Sequence, residues 1–565
     1  MDEYYNLGSH YRPITTSSPD AQNWFNRGLV WSYAFNHDES AECFRRAALA
    51  DPECAMAYWG VAYVLGPNYN KPWEFFGDTE LEDVLVRARQ ALEKAEGLAS
   101  KATPVEQGLI RALRNRYPTV SDSEVVDPEA IETVSPDSDD DKKRWNKNYA
   151  AAMAELYAAF PLDLDVATLY VESLMNLTPW RLWDLQTGQP TPGAPTLQAK
   201  AILEDALSQD EFHPGALHLY IHLLEMSPHP EEALRLADNL RGLVPDAGHL
   251  NHMPSHIDVL VGDYRRAMEA NTTAILADAK FVRRNGAMNF YTLYRCHDYH
   301  FRIYAAMFAG QSRVAVDTAR ELTETLPEDL LRVTSPPMAD WLEGFLSVRV
   351  HVLVRFGFWE EILRLGFPED RELYCATTAM THYAKGVAYA ATGQIPAAIT
   401  ERDFLKEAMA KVPSSRTVFN NSCNDILEIA LAMLQGEIFY RQGDYEKGFA
   451  FLREAIRLDD ALPYDEPWGW MQPTRHAYGA LLLEQGRVEE AVEVYEADLG
   501  FSGALPRAQQ HRGNVWSLHG YYEGLTRLKR TAEARIVKQM LELAVAGADV
   551  EIRASCACRT TFSDL

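Results

Sequence analysis

Two histidine pairs in this 565-residue chain return at one fixed offset: His218 and His222 recur 34 residues later as His252 and His256. An offset of about 34 residues is the length of one helix-turn-helix unit in a solenoid, where each unit buries its apolar face only by stacking on its neighbours. The histidines are therefore tied to an architecture, and nine of the chain's 16 fall between His213 and His300.

Spacing inside each unit selects one helix face. Between residues 215 and 225, His218, His222 and Glu225 stand at i, i+4 and i+7, a single stripe on a helix of about 3.6 residues per turn. Between residues 248 and 256, His249, His252 and His256 stand at i, i+3 and i+7, again one face of one predicted helix. His297 and His300 repeat the i, i+3 spacing 48 residues after His249 and His252, as expected where an insertion lengthens a unit.

Helical units can be traced along most of the sequence. Trp24, Gly28, Phe44, Ala47 and Pro52 have the order of a large residue, a small packing residue, two contacts from a second helix and a terminating proline. Ala57-Tyr-Trp-Gly60 opens another, and Gly386, Gly436 and Gly479 begin three more toward the C-terminus. These spacings resemble the tetratricopeptide (TPR) pattern over residues 20 to 545, which implies an all-α fold, a right-handed superhelix of TPR-like helical hairpins. Phe35-Asn-His-Asp-Glu39, Gly66-Pro-Asn-Tyr-Asn-Lys-Pro-Trp73, Ser227-Pro-His-Pro230 and the 248–256 segment resemble large microbial TPR-domain proteins of unassigned function. That resemblance supports the fold and supplies no reaction. It also implies that the histidine-bearing helices, being the first of their units, line a concave groove.

The expected organisation is an N-terminal extension (1–20), N-terminal repeats (21–117), an acidic insertion (118–141), histidine-rich repeats (142–310), C-terminal repeats (311–545) and a tail (546–565). The insertion carries nine acids and no base, a composition that cannot bury a core. Residues 186–195 are rich in Pro and Gly and read as a loop, either a lid or a plain connection.

A formal charge of −27 excludes nucleic acid and anionic membranes as expected partners, since both need a Lys/Arg-rich footprint. A protein partner through TPR surfaces remains open. The start lacks a basic and apolar leader, so a cytoplasmic location is expected. Seven cysteines without a framework spacing suit reduced thiols, and Cys556-Ala-Cys558 reads as a tail feature. Cys296, beside His297, reads as a buried thiol.

A lone His-x-x-x-His is a weak signal, whereas two pairs at the repeat offset with a third in register point to one shared site. The candidate metal ligands are His218, His222, His249, His252, His256, His297 and His300. Paired Glu-x-x-His motifs of di-iron bundles are absent, and Leu219 stands where a zinc protease would carry its glutamate. An imidazole-dominated set suits copper first, with iron or zinc as alternatives, at one or two ions per chain. The expected function is a metal-dependent oxidoreductase using dioxygen on a small organic substrate. A TPR scaffold for a peptide or protein, and a hydrolase with Glu225 as general base on metal-bound water, stand as alternatives. Asp258 and Asp298 are candidates to orient imidazoles, and Tyr220, Tyr294, Tyr299 and Tyr304 to wall a pocket. His213 and His229 read as cap and turn residues and His37 as part of an inter-helix turn, while His351 is the best outlying candidate.

Overall fold

Helix starts are written locally in this chain. Ser18 accepts the amide hydrogen of Ala21 and Pro19 takes the first helical position, where a missing N–H costs nothing, so the helix Pro19–Tyr33 begins there. Thr103 and Glu106 satisfy each other's backbone in a capping box that opens Pro104–Arg114. The computed structural model describes residues 4–117 and 139–559. The acidic insertion lies outside the described residues except at its end, where Asp140 and Asp141 fall in the first turn of the helix Asp139–Ala159, favoured there by the helix dipole.

Consecutive helices are joined by turns of three residues at Tyr33/His37, Ala391/Ile395, Arg441/Tyr445, Glu484/Val488 and Arg527/Thr531, so the chain doubles back and each pair packs face to face. Large aromatic rings set the spacing of those pairs. A methyl group on Gly28 or Gly60 would lie 2.7 or 2.4 Å from the Phe44 ring, so both helices close on one buried phenylalanine. Gly479 and Gly520 close on Tyr495 in the same way. This is the small-against-large packing of TPR-like hairpins, and the fold is all-α, with two two-residue strand pairs among the described residues.

Two compact units result among the described residues, 4–117 and 139–227 with 232–254, and 228–231 with 255–559. The boundary falls inside the stretch that the sequence groups as histidine-rich repeats. In the first unit the Pro/Gly-rich segment folds into a hairpin, Trp183–Asp184 against Gln189–Pro190, and the Trp183 indole donates to the Leu223 carbonyl at 2.7 Å. The segment is thus docked on the end of a histidine helix. The tight turn Ala557–Arg559 brings Cys556 and Cys558 to a Cα separation of 5.2 Å, within disulfide range, and they are bonded. Here the structure departs from the expectation that all thiols are reduced; the five remaining cysteines are free and buried. No described helix is long and apolar enough to cross a membrane.

Gly60→Ala tests the packing rule. Alanine gains about 1 kcal/mol of helix propensity, but a methyl jammed against Phe44 costs roughly 1–3 kcal/mol. Urea melts should show a destabilised variant whose defect shrinks or reverses in a Phe44→Leu background. An equal cost in both backgrounds would mean that Phe44 does not set this spacing.

Candidate metal centre

His218 and His222 ride on the helix Pro214–Leu224, which is buried on every side. His213 caps it, its Nδ1 accepting the Ala216 amide hydrogen at 3.1 Å, and Pro214 follows at the first helical position. His213 is therefore the cap residue that its sequence context suggests. His249 lies on the one-turn helix Gly248–His252, where Asn251 turns away and donates to the carbonyls of Val244, Pro245 and Ala247.

These elements bring three imidazoles together in the first unit. One ligand nitrogen from each of His218, His222 and His249 lies within 4.8 Å of the others, and all three residues are buried. Hydrogen bonds fix which nitrogen is offered. The Tyr33 carbonyl, which can only accept, lies 2.6 Å from His218 Nδ1, so that nitrogen carries the hydrogen and Nε2 points inward. The Glu225 carboxylate holds His222 Nδ1 at 3.0 Å in the same sense. His249 Nε2 sits 3.1 Å from His218 Nε2. Two nitrogens on one ion at about 2.0–2.1 Å stand roughly 2.9–3.4 Å apart, so the pair already has the spacing of cis ligands.

Aromatic rings close round this cluster. Phe35 lies 4.4 Å from His218 and 5.6 Å from His249 between ring centres, Tyr69 lies 5.1 Å from His222, and Trp180 lies 5.6 Å from His222. Phe35 and Trp180 are also two of only four non-glycine residues with positive φ among the described residues, at 55° and 58°. A bulky residue in that region costs free energy and persists only where surrounding contacts over-determine it. A third such residue, Phe419, faces His297 in the second unit at 4.7 Å.

His252 stacks beside His249 at 5.8 Å in the first unit. His256 was expected on one continuous helix with His249 and His252, and this is corrected: Pro254 has no N–H to give and would clash with a preceding turn, so the helix ends at His252 and a new one runs from Pro254 to Val261. In the second unit His256 lies 5.7 Å from His297 between ring centres, and the Glu466 carboxylate meets His256 Nδ1. His300, one turn beyond His297, instead meets Met471 Sδ at 2.7 Å and Phe345. His351 packs on Trp470 at 4.7 Å. Burial, and for His300 also His351, pushes the pKa of both imidazoles down to about 3. Asp298 is fully buried in the second unit. It shares a hydrogen bond with Asp278, and burial followed by the Asp278 charge raises its pKa well above the carboxylate range. Tyr220 donates to Glu204, while Tyr294 packs among Phe290 and Tyr291. Cys296 is fully buried, its thiol pushed up to about 12 by burial. His37 opens the helix His37–Ala50, with its Nε2 3.3 Å from Asn68, and His229 is exposed beside Glu231.

His10, Asp165 and His213 form another compact trio in the first unit. Its carboxylate is already engaged: Asp165 accepts from His10 at 3.0 Å, His213 at 3.1 Å, Arg12 at 3.0 Å and Tyr33 at 2.6 Å. A guanidinium in the cluster disfavours a cation, so this trio reads as an ionic clamp that ties the N-terminal segment to the histidine helix. Burial alone would raise the Asp165 pKa; the bonds from His10 and His213 and the Arg12 charge hold it well below the usual range. A carboxyl depressed on folding stabilises above its unfolded pKa and loses that contribution as pH falls through its folded value. Asp165→Asn should therefore cost about 3 kcal/mol at neutral pH, and the gap to wild type should narrow in melts taken below pH ~4. A gap independent of pH would deny the clamp.

Sequence reasoning missed Phe35, Tyr69, Trp180 and Glu466. The first two lie in the conspicuous segments around residues 35–39 and 66–73, but no spacing rule links them to His218 or His222. No family model matches the chain, and no curated protein matches. Among solved structures, the Cut9–Hcn1 hetero-tetramer of the APC/C is similar at 12% identity and a TM-score of 0.30, over 91% of this chain and 78% of that one. A monomeric mutant of IFIT1 with Gppp-AAAA gives 11% and 0.32, over 94% and 91%. Yeast Tom70 gives 12% and 0.29, over 93% and 92%.

Proposed function

We propose that His218, His222 and His249 hold a transition-metal ion, copper in preference to iron or zinc, and that the chain is a metal-dependent oxidoreductase acting on a small organic substrate with dioxygen. The observation that carries this reading is the pair of Nδ1 contacts, His218 to the Tyr33 carbonyl and His222 to Glu225, together with His218 Nε2 lying 3.1 Å from His249 Nε2 in a compact buried trio. Metal-ligating histidines commonly donate their other ring N–H in this way. Three nitrogen ligands leave coordination positions open, and a copper or iron ion so held supplies dioxygen activation. Phe35, Tyr69 and Trp180 keep water from the rings and hold them in place. Glu225 acts through His222 as a positioning residue, which weakens the hydrolase reading because its carboxylate is engaged.

The test is metal content by plasma mass spectrometry on protein purified without a histidine tag, with helical content followed by circular dichroism. Wild type should carry about one ion per chain in this unit, and His218→Ala/His249→Ala should lose it while staying helical. Wild type that stays metal-free after reconstitution with Cu, Fe and Zn would sink the reading. Glu225→Ala should weaken metal affinity about 10–100-fold, and Glu225→Gln, which keeps an acceptor for His222, should weaken it less. Identical affinity in all three proteins would remove Glu225 from the site.

A second reading is a scaffold for a protein partner. The hairpin stacking within each unit favours it, because such arrays present extended binding surfaces. A charge of −27 would select a basic partner. Metal-free wild type that retains its fold would transfer the argument to this reading.

A further inference from the structure

In the second unit, Arg355 ends the helix Val348–Arg355 with its guanidinium fully inside the protein. Buried cations are normally paired directly with a carboxylate. Arg355 is not: Nη1 donates to His476 Nδ1 at 2.8 Å and Nη2 to the Ser555 carbonyl, both neutral acceptors, while Nε has no hydrogen-bond partner. Asp498 is hydrogen-bonded to it only by way of His476, whose Nε2 lies 3.1 Å from Asp498 Oδ2, and that carboxylate, whose charge also acts on Arg355, is shared with His511, Asn514 and Ser517. Burial lowers the His476 pKa to about 4, so the ring is neutral, and burial lowers that of Arg355 itself to about 9.

Beside this cation lies a cavity of about 270 Å³. Phe356, Phe358 and Trp516 line it with Arg355, and the Arg355 guanidinium stacks 4.2 Å above the Trp516 ring. Residues 550–557 of the C-terminal segment form the remaining wall. That strap is pinned, with Ser555 Oγ donating to the His476 carbonyl at 2.8 Å and meeting the Tyr495 hydroxyl at 2.6 Å. Arg553 and Glu551 at its edge pair with each other at 2.8 Å. An aromatic-walled slot with one under-compensated guanidinium at its side is built for a flat apolar body bearing one negative charge.

We propose that this cavity binds a small organic monocarboxylate with an aromatic or apolar body, its carboxylate on Arg355 and its body among Phe356, Phe358 and Trp516. The site is independent of the histidine cluster in the first unit. The C-terminal strap is part of it, so the ligand steadies residues 550–557.

Phenylacetate is the probe, with phenylacetamide as the uncharged control of the same shape, titrated into the full-length chain by calorimetry. Saturable one-to-one binding of the acid, with the amide at least about tenfold weaker, is expected. Arg355→Lys, which keeps the charge but loses the fork, should weaken the acid about tenfold and leave the amide unchanged. Should that variant unfold, Phe358→Ala on the half-buried wall takes its place and should weaken acid and amide together. Equal affinity for acid and amide, or no heat at millimolar phenylacetate with folded wild type, would overturn the proposal.

Discussion

The hydrogen bond from His218 Nδ1 to the Tyr33 carbonyl is the interaction on which the arrangement of the first unit's imidazoles depends. Tyr33 is the last residue of its helix, and carbonyls in a last turn have no partner within the helix. A buried orphan carbonyl is costly, so the ring that satisfies it is fixed in position and tautomer. Satisfying a backbone need at one edge of the imidazole sets what its other edge can do. Nε2 then faces His249, and Phe35, just beyond the helix end, covers the ring.

The same logic runs through neighbouring residues. His213 caps one helix with Nδ1 and joins Asp165 with Nε2. His222 uses Nδ1 for Glu225, and Trp183 satisfies the Leu223 carbonyl one residue on. His218, Tyr220 and the Leu223 carbonyl on this helix are each engaged by a contact from elsewhere in the sequence. Backbone strain at Phe35 and Trp180 fits this setting, because unfavourable φ is retained where packing leaves no alternative.

Much of the fold was legible in the chain. The small and large residues Gly28, Phe44 and Gly60 can be read as a hairpin from their spacing, and their rings and glycines meet as that spacing requires. His213-Pro214 announced a helix start. The continuity expected over residues 248–256 fails because histidine periodicity says nothing of Pro254, whose missing N–H interrupts the ladder whatever the side-chain pattern. Aromatic contacts such as Trp180 with His222 were beyond reach, since they join residues more than 40 positions apart with no shared period.

By itself the sequence determined the helical hairpins, the helix caps and the stripe that carries His218, His222 and Glu225, because periodicity, capping and glycine spacing act over a few residues to one repeat. Only the tertiary structure decided which histidines converge, which nitrogen each one offers, and that Arg355 is buried without a direct carboxylate. Those properties rest on the Tyr33 carbonyl, the Phe35 ring, the His476 side chain and the Ser555 carbonyl, partners brought close by packing rather than by sequence distance. Tautomer and charge compensation are set by such contacts, and no local pattern encodes them.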